Sequence, residues 1–204
     1  MELDKYIKNC FEVLPGLADY NYPWEITAKA NEIVGNYLTN LSLVEDYEIK
    51  NGVAIHKTAT VEEGVIMKNN VVIGKNCFVG AGAYLRGGVF LAENVSVGPG
   101  CEIKSSFIFS KSRIAHFNFI GDSIVGADVN FEAGAIVANF FNDTEKEVEV
   151  IFNEERIQTG MKKFGALVGD HARIGANAVL DPGSVLPPSA IVGRLEHYDQ
   201  FRSV

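Results

Sequence analysis

The chain has 204 residues, enough for one good core and an appendage, and its 47% hydrophobic and 22% charged residues are those of a folded soluble protein. A net charge of −8 excludes general nucleic-acid binding, because there is no excess of base to neutralise phosphates. Three cysteines without a CxxC pair argue against a disulfide framework, and no apolar run approaches the length of a membrane span.

Residues 1–50 read as an N-terminal cap and linker. The start, MELDKYIKNC, carries acids where a secretory leader would be charged and then apolar, so a cytoplasmic protein is expected. Leu14-Pro15-Gly16 and Tyr22-Pro23-Trp24 punctuate the segment. The pattern predicts a helix over Glu25 to Leu43, with Ile26, Ala30, Ile33, Val34, Tyr37, Leu38 and Leu41 on one face. This helical cap is expected to cover the open end of the region beyond residue 50, with Trp24 packed inside it.

Residues 51–204 carry a different period. An apolar residue heads almost every block of six: Ile55, Val61, Met67, Ile73, Val79, Leu85, Leu91, Val97, Ile103, Phe109 and Ala115. The ladder resumes at Val125, Phe131 and Val137, and again at Val168, Ile174, Leu180, Leu186 and Val192. Between Ala115 and Val125 two blocks read as five long, with Ile120 between them. A period of six is not helical; it predicts short strands and tight turns wound as an all-β parallel β-helix of hexapeptide repeats. Cys77 and Cys101 fall on inward positions and read as small core residues. From about 140 to 165 the pattern disappears, and alternation at Val148, Val150 and Phe152 predicts a projecting hairpin loop.

At the position after each head, small residues dominate, except at Lys68, Arg86, Lys104 and His116. The first three are spaced 18 and 18, three blocks each, and would stack on one edge of a three-sided coil. Stacked like charges need an anion or carboxylate among them, or else form a solvated row near Glu93 and Glu102. His116 falls on a different edge. Asn130 and Ala133 return near His116 one coil later, and Asn139 returns to the Lys104 edge. The four histidines are scattered, so no metal site is expected.

The stretch Leu85 to Phe140, which includes LRGGVF, AHFNFIGD and GAIVANF, resembles the acetyltransferase half of the bifunctional glucosamine-1-phosphate acetyltransferase/N-acetylglucosamine-1-phosphate uridylyltransferase family. The insert ending TGMKKFGALVGDHARIG is similar to that of the archaeal sugar-1-phosphate nucleotidylyltransferase/acetyltransferases. The likeness runs from Tyr22 to Val192; the nucleotidylyltransferase half has no counterpart in these residues. The resemblance implies a left-handed coil of triangular section and a homotrimer. It also implies acetyl-CoA as co-substrate, an amino-sugar 1-phosphate as acceptor, and a role in UDP-N-acetylglucosamine biosynthesis. No metal is needed for acetyl transfer.

It further assigns roles. His116 matches the general base, Glu102 the acid that supports it, and Ala133 the residue whose N–H polarises the thioester carbonyl. Arg86 and Lys104 match sugar-phosphate ligands, Asn130 and Asn139 sugar and acetyl contacts. Lys146 is the nearest match for a phosphate-binding lysine of the insert, with Lys162 and Lys163 as alternatives. Coenzyme contacts are expected at Ala133, Gly175, Ala176 and Arg194. Phe119 stands where the family has Tyr, which removes one hydroxyl contact to the sugar. The alternative expectation is a non-catalytic sugar-phosphate or nucleotide-sugar binding subunit paired with a separate nucleotidylyltransferase.

Overall fold

The computed structural model describes residues 3–41, 45–152 and 154–202. From Val53 onward the chain winds as a left-handed parallel β-helix with three faces. Seven rungs stack on each face. The first face is headed by Ile55, Ile73, Leu91, Ile108, Val125, Val168 and Leu186. The second is headed by Val61, Val79, Val97, Ile114, Phe131, Ile174 and Val192. The third is headed by Met67, Leu85, Ile103, Ile120, Val137, Leu180 and Tyr198. These heads point inward and, with Val71, Cys77, Ala83, Val89, Val95 and Cys101, make the core of the prism.

Two heads expected from the sequence are not heads. Leu91 pairs with Ile108 rather than Phe109, and Val97 pairs with Ile114 rather than Ala115. The short blocks are therefore Ile103 to Ile108 and Ile120 to Val125. The slip begins at a β-bulge where Gly87 and Gly88 together face Ser105. In the shortened turns buried hydroxyls replace backbone bonds. Ser106 Oγ donates to the Lys104 carbonyl and accepts the Ser123 N–H, and Ser123 Oγ does the same for Gly121 and Ala166.

The N-terminal segment does not close an open end; it runs along the first face. Pro23 opens a helix to Ala28, with Glu25 Oε2 accepting the Asn21 and Tyr22 N–H groups at 2.9 and 3.0 Å. A second helix, Ala30–Leu41, follows a break at Lys29. The predicted helix is thus two; Leu43 lies outside the described residues. The break sits where the chain passes closest to the bulge. A Cβ at Gly88 would lie 2.4 Å from the Ala30 carbonyl carbon.

The outward row of the first face (Ala54, Val72, Phe90, Phe107, Ile124, Leu167, Val185) is buried under this segment and the insert. Trp24 is part of that second core, stacked on Tyr22 at 4.5 Å and edge-on to Phe152 and Phe164. Each large apolar side chain so buried contributes about 1.5–3 kcal/mol. The insert forms the hairpin Glu149–Phe152 and Glu155–Gln158, but its inner face does not project. Val148 and Val150 are buried over the coil turn at Gly183, and Phe152 is buried against the N-terminal segment, stacked on Tyr6 at 5.6 Å. At the far end Asp170 anchors the segment, accepting the Lys8 and Ala127 N–H groups at 2.9 and 2.7 Å while its own N–H donates to Tyr6. Among the described residues, the second and third faces have no such cover.

Candidate functional site

The edge between the third and first faces gathers Arg86, Lys104, Glu102, Asn139 and Phe119. Arg86 pairs with Lys104 in register, and Lys68 stands one rung above. Arg86 grips Glu102 Oε1 through Nε at 2.8 Å and Nη2 at 2.6 Å. Lys104 Nζ meets both oxygens of Asp122, at 2.8 and 2.6 Å, and Asn139 Nδ2 donates to the same carboxylate. The ring of Phe119 covers Gly121, beside the Asn139 amide.

Asp122 was absent from the expected site. It is only 6% exposed and fixes two of the predicted residues. The available signal was its separation from Lys104, which is 18 residues. Three cations against two carboxylates leave this edge one net positive charge.

The insert returns to this edge, where the Phe164 N–H donates to the Asn139 carbonyl at 3.1 Å. Lys163, next in the chain to Phe164, stands 6.0 Å from the Phe140 ring. Lys163 is thus the insert lysine next in the chain to the residue bonded to Asn139. Lys146, the nearest match from the sequence, lies elsewhere, 4.2 Å over the Phe141 ring in a cleft with Asp143 and Asp181.

His116 lies on the edge between the second and third faces, exposed, two residues past its head Ile114. Its carbonyl accepts the Gly134 N–H at 2.8 Å and Asn118 Nδ2 at 3.2 Å. Register places Pro99 one rung above and Ala133 one rung below. At the equivalent positions the N–H of Ala81 is taken by Glu62 at 2.7 Å, and that of Ala176 by Glu132 at 2.9 Å. The Ala133 N–H has no acceptor among the described residues.

The next residue along this edge is left-handed at every level: Gly64, Gly82, Gly100, Phe117, Gly134, Asn177 and Leu195. Phe117, at φ 55° and 70% exposed, is a bulky side chain where neighbours use glycine. Such strain costs about 1–3 kcal/mol. Glu102 does not reach His116 within the chain; its carboxylate is engaged by Arg86.

Asn130 is neither with His116 nor with Arg86. It lies on the second face between Arg113 and Arg173. There it shares a cleft of ≈ 320 Å³ with Gly175 and Arg194. Glu132, also missed from the sequence, accepts Arg194 at 2.6 and 2.7 Å, and the Arg194 guanidinium holds its carboxyl below the ordinary value. Ala176 adjoins this cleft with its N–H already bound. The thiols are structural. Burial pushes Cys77 up to about 11 and raises Cys101, and each donates to a backbone carbonyl, of Ala92 and Ala115 respectively.

Comparison with known proteins gives a consistent family. Residues 49–157 match the family described as the GMPPB C-terminal domain. The bifunctional sugar-1-phosphate nucleotidylyltransferase/acetyltransferase of Sulfurisphaera tokodaii is 37% identical over 195 residues, which is 91% of this chain and 48% of that protein. The bifunctional protein GlmU of Methanococcus maripaludis is 42% identical over 181 residues, 86% of this chain and 43% of its own length. The chain thus spans about half the length of the curated relatives it matches.

Proposed function

The chain belongs to the GMPPB C-terminal domain family, and from that premise we propose that it is an acetyl-CoA-dependent N-acetyltransferase whose acceptor is an amino-sugar 1-phosphate. The observation that carries the proposal is the pairing of an exposed imidazole with an open N–H one rung below it, His116 over Ala133. Adjacent rungs lie ~4.8 Å apart. An acyl carbonyl directed at the Ala133 N–H would then present its carbon beside the imidazole.

In the reaction the amino nitrogen attacks the thioester carbonyl as His116 removes its proton, worth about 10²–10⁴-fold. The Ala133 N–H stabilises the oxyanion by roughly 3 kcal/mol when aligned. Collapse expels the coenzyme thiolate, which takes a proton. Arg86 offers the phosphate a planar fork and Lys104 a point charge, with Asn139 and the Phe119 ring beside them. The coenzyme would lie along the second face, in the cleft with Asn130, Gly175 and Arg194.

The phosphate-binding edge and the His116 edge belong to different corners of one prism. One prism does not bring two corners together, whereas a neighbouring copy does, which supports a homotrimer with its sites between subunits. The first face is sealed by the chain itself, so the second and third faces are left for that contact. A neighbour's Glu102 would then supply the carboxylate that His116 lacks.

Thiol release from acetyl-CoA with glucosamine 1-phosphate tests the proposal. Wild type should turn over and His116→Ala should lose at least about 100-fold. Equal mixtures of His116→Ala and Arg86→Ala chains, refolded together, should regain activity. No difference between wild type and His116→Ala on any amino sugar would overturn catalysis, and an active monomer by light scattering would overturn the shared site.

A second reading, a binding subunit paired with a separate nucleotidylyltransferase, has one observation in its favour: Glu102 is spent on Arg86, so a lone chain gives His116 no orienting acid. Sugar-phosphate binding by calorimetry without coenzyme binding would select it.

A further inference from the structure

The turn that carries His116 departs from its neighbours at the next two positions, and the proposed reaction uses neither. Phe117 is the largest side chain in the left-handed row, yet its ring is mostly exposed. Asn118 is buried and polar, where the rungs above and below place Ala83, Cys101, Ala135 and Ala178 in the core. A buried amide is costly unless its hydrogen bonds are made. Asn118 Nδ2 donates to the His116 carbonyl at 3.2 Å, while Oδ1 has no partner among the described residues. The Phe117 N–H donates to the Pro99 carbonyl at 3.1 Å. The backbone is thus held on both sides of Phe117, in a conformation that its side chain disfavours.

The ring has a defined seat. A Cβ at Gly100 would lie 2.6 and 2.7 Å from Cδ1 and Cε1 of Phe117. The ring therefore lies over Gly100, one rung above His116, in space that a side chain at 100 would fill. The cleft with Asn130, Gly175 and Arg194 is on the second face, in the rungs below His116. Phe117 stands on the opposite side of the imidazole, toward the third face and upward.

The phosphate-binding edge is also above. Lys104 and Arg86 stand one and two rungs above the coil that holds His116. Parallel prisms in a trimer keep their rungs level, so a neighbour's Lys104 would begin that edge about 5 Å higher than His116. An amino-sugar 1-phosphate that meets the imidazole with its nitrogen and that edge with its phosphate must carry its ring across the level of Gly100. That is where the Phe117 ring lies.

We infer that Phe117 is an acceptor-binding residue, whose ring packs on the C–H face of the sugar between the base and the phosphate edge. The inference rests on the proposed reaction for its acceptor. A sugar ring carries C–H bonds as well as hydroxyls, and an aromatic face already held in place covers them with little left to order on binding.

Steady-state kinetics of Phe117→Gly tests this. Glycine takes the left-handed conformation without strain, and both backbone bonds of the turn remain, so the variant should melt no lower than wild type. KM for glucosamine 1-phosphate should rise about tenfold, with kcat and KM for acetyl-CoA near their wild-type values. Phe117→Tyr keeps the ring and should keep the acceptor KM. Phe117→Trp reads binding without turnover, because Trp24, the single tryptophan of the chain, is buried. Glucosamine 1-phosphate should shift the emission of the new indole, and inorganic phosphate should not. A chain that shows this shift but turns nothing over would lose the proposed reaction and keep the inference. An unchanged acceptor KM in Phe117→Gly, an equal rise in the coenzyme KM, dissociation of the assembly on loss of the ring, or emission indifferent to the sugar would overturn it.

Discussion

Asp122 shows how much one unremarked carboxylate can hold. It takes the Lys104 ammonium on both oxygens and the Asn139 amide on one, with the paired side chains only 16% and 9% exposed. At that burial, removing one partner strands a charge away from water. Asp122→Ala should therefore lower the free energy of unfolding by about 3 kcal/mol in urea titration, and adding Lys104→Met should recover most of it. A loss below about 1 kcal/mol would place the pair with ordinary surface bridges. The Arg86–Glu102 pair, more than a third exposed at the arginine, should matter much less to stability. Arg86, Lys104 and Asn139 were legible because they interrupt a small-residue row or match a family phrase. Asp122 was not, because its importance comes from two partners that only the winding of the coil brings to it.

Among the elements, the bulge at Gly87–Gly88 sets the registers of the coil below it and the path of the helices above it. Gly88 has φ 90° and would press a Cβ to 2.4–2.5 Å from the Ala30 and Asn31 backbone, which has no flexible end to move. Gly88→Ala should cost more than about 2 kcal/mol, through left-handed strain and overpacking together, and should lower the melting temperature accordingly. A variant as stable as wild type would mean the helix break slides freely.

The same bulge marks the limit of sequence reading. The six-residue ladder gave faces, strands and inward thiols, because burial demands an apolar head on each rung. The slip of one residue was invisible because Ile108 and Phe109 are both apolar. The structure buries both, one inside the prism and one under the N-terminal cover. That single slip moved His116 from one residue past a head to two. There its neighbour on the next rung is Ala133, which the block spacing also returned to the His116 edge. The place of the helical segment was not legible either. An amphipathic helix shows which of its faces is buried, but not whether it covers the end or the side of the partner.

At the scale of the whole molecule, the prism is stabilised from rung to rung, as solenoids are, while its cover is not. The N-terminal helices pack on the upper levels of the first face, and the segment is anchored lower down through Tyr6 and Lys8 to Asp170. The contact between Lys8 and Asp170 spans 162 residues of the 204. Long-range closure of this kind is entropically costly and slow to form, whereas neighbouring rungs pair over short loops. The consequence concerns the order of events during synthesis. The segment leaves the ribosome before the coil, yet its seat is complete only when the sixth rung has been made. Its apolar side chains must wait, along with those of the face they will cover. Pulsed hydrogen exchange during refolding should show amides of the upper rungs protected early and the Lys8 and Ala127 amides protected last; simultaneous protection would mean that coil and cover form in a single step.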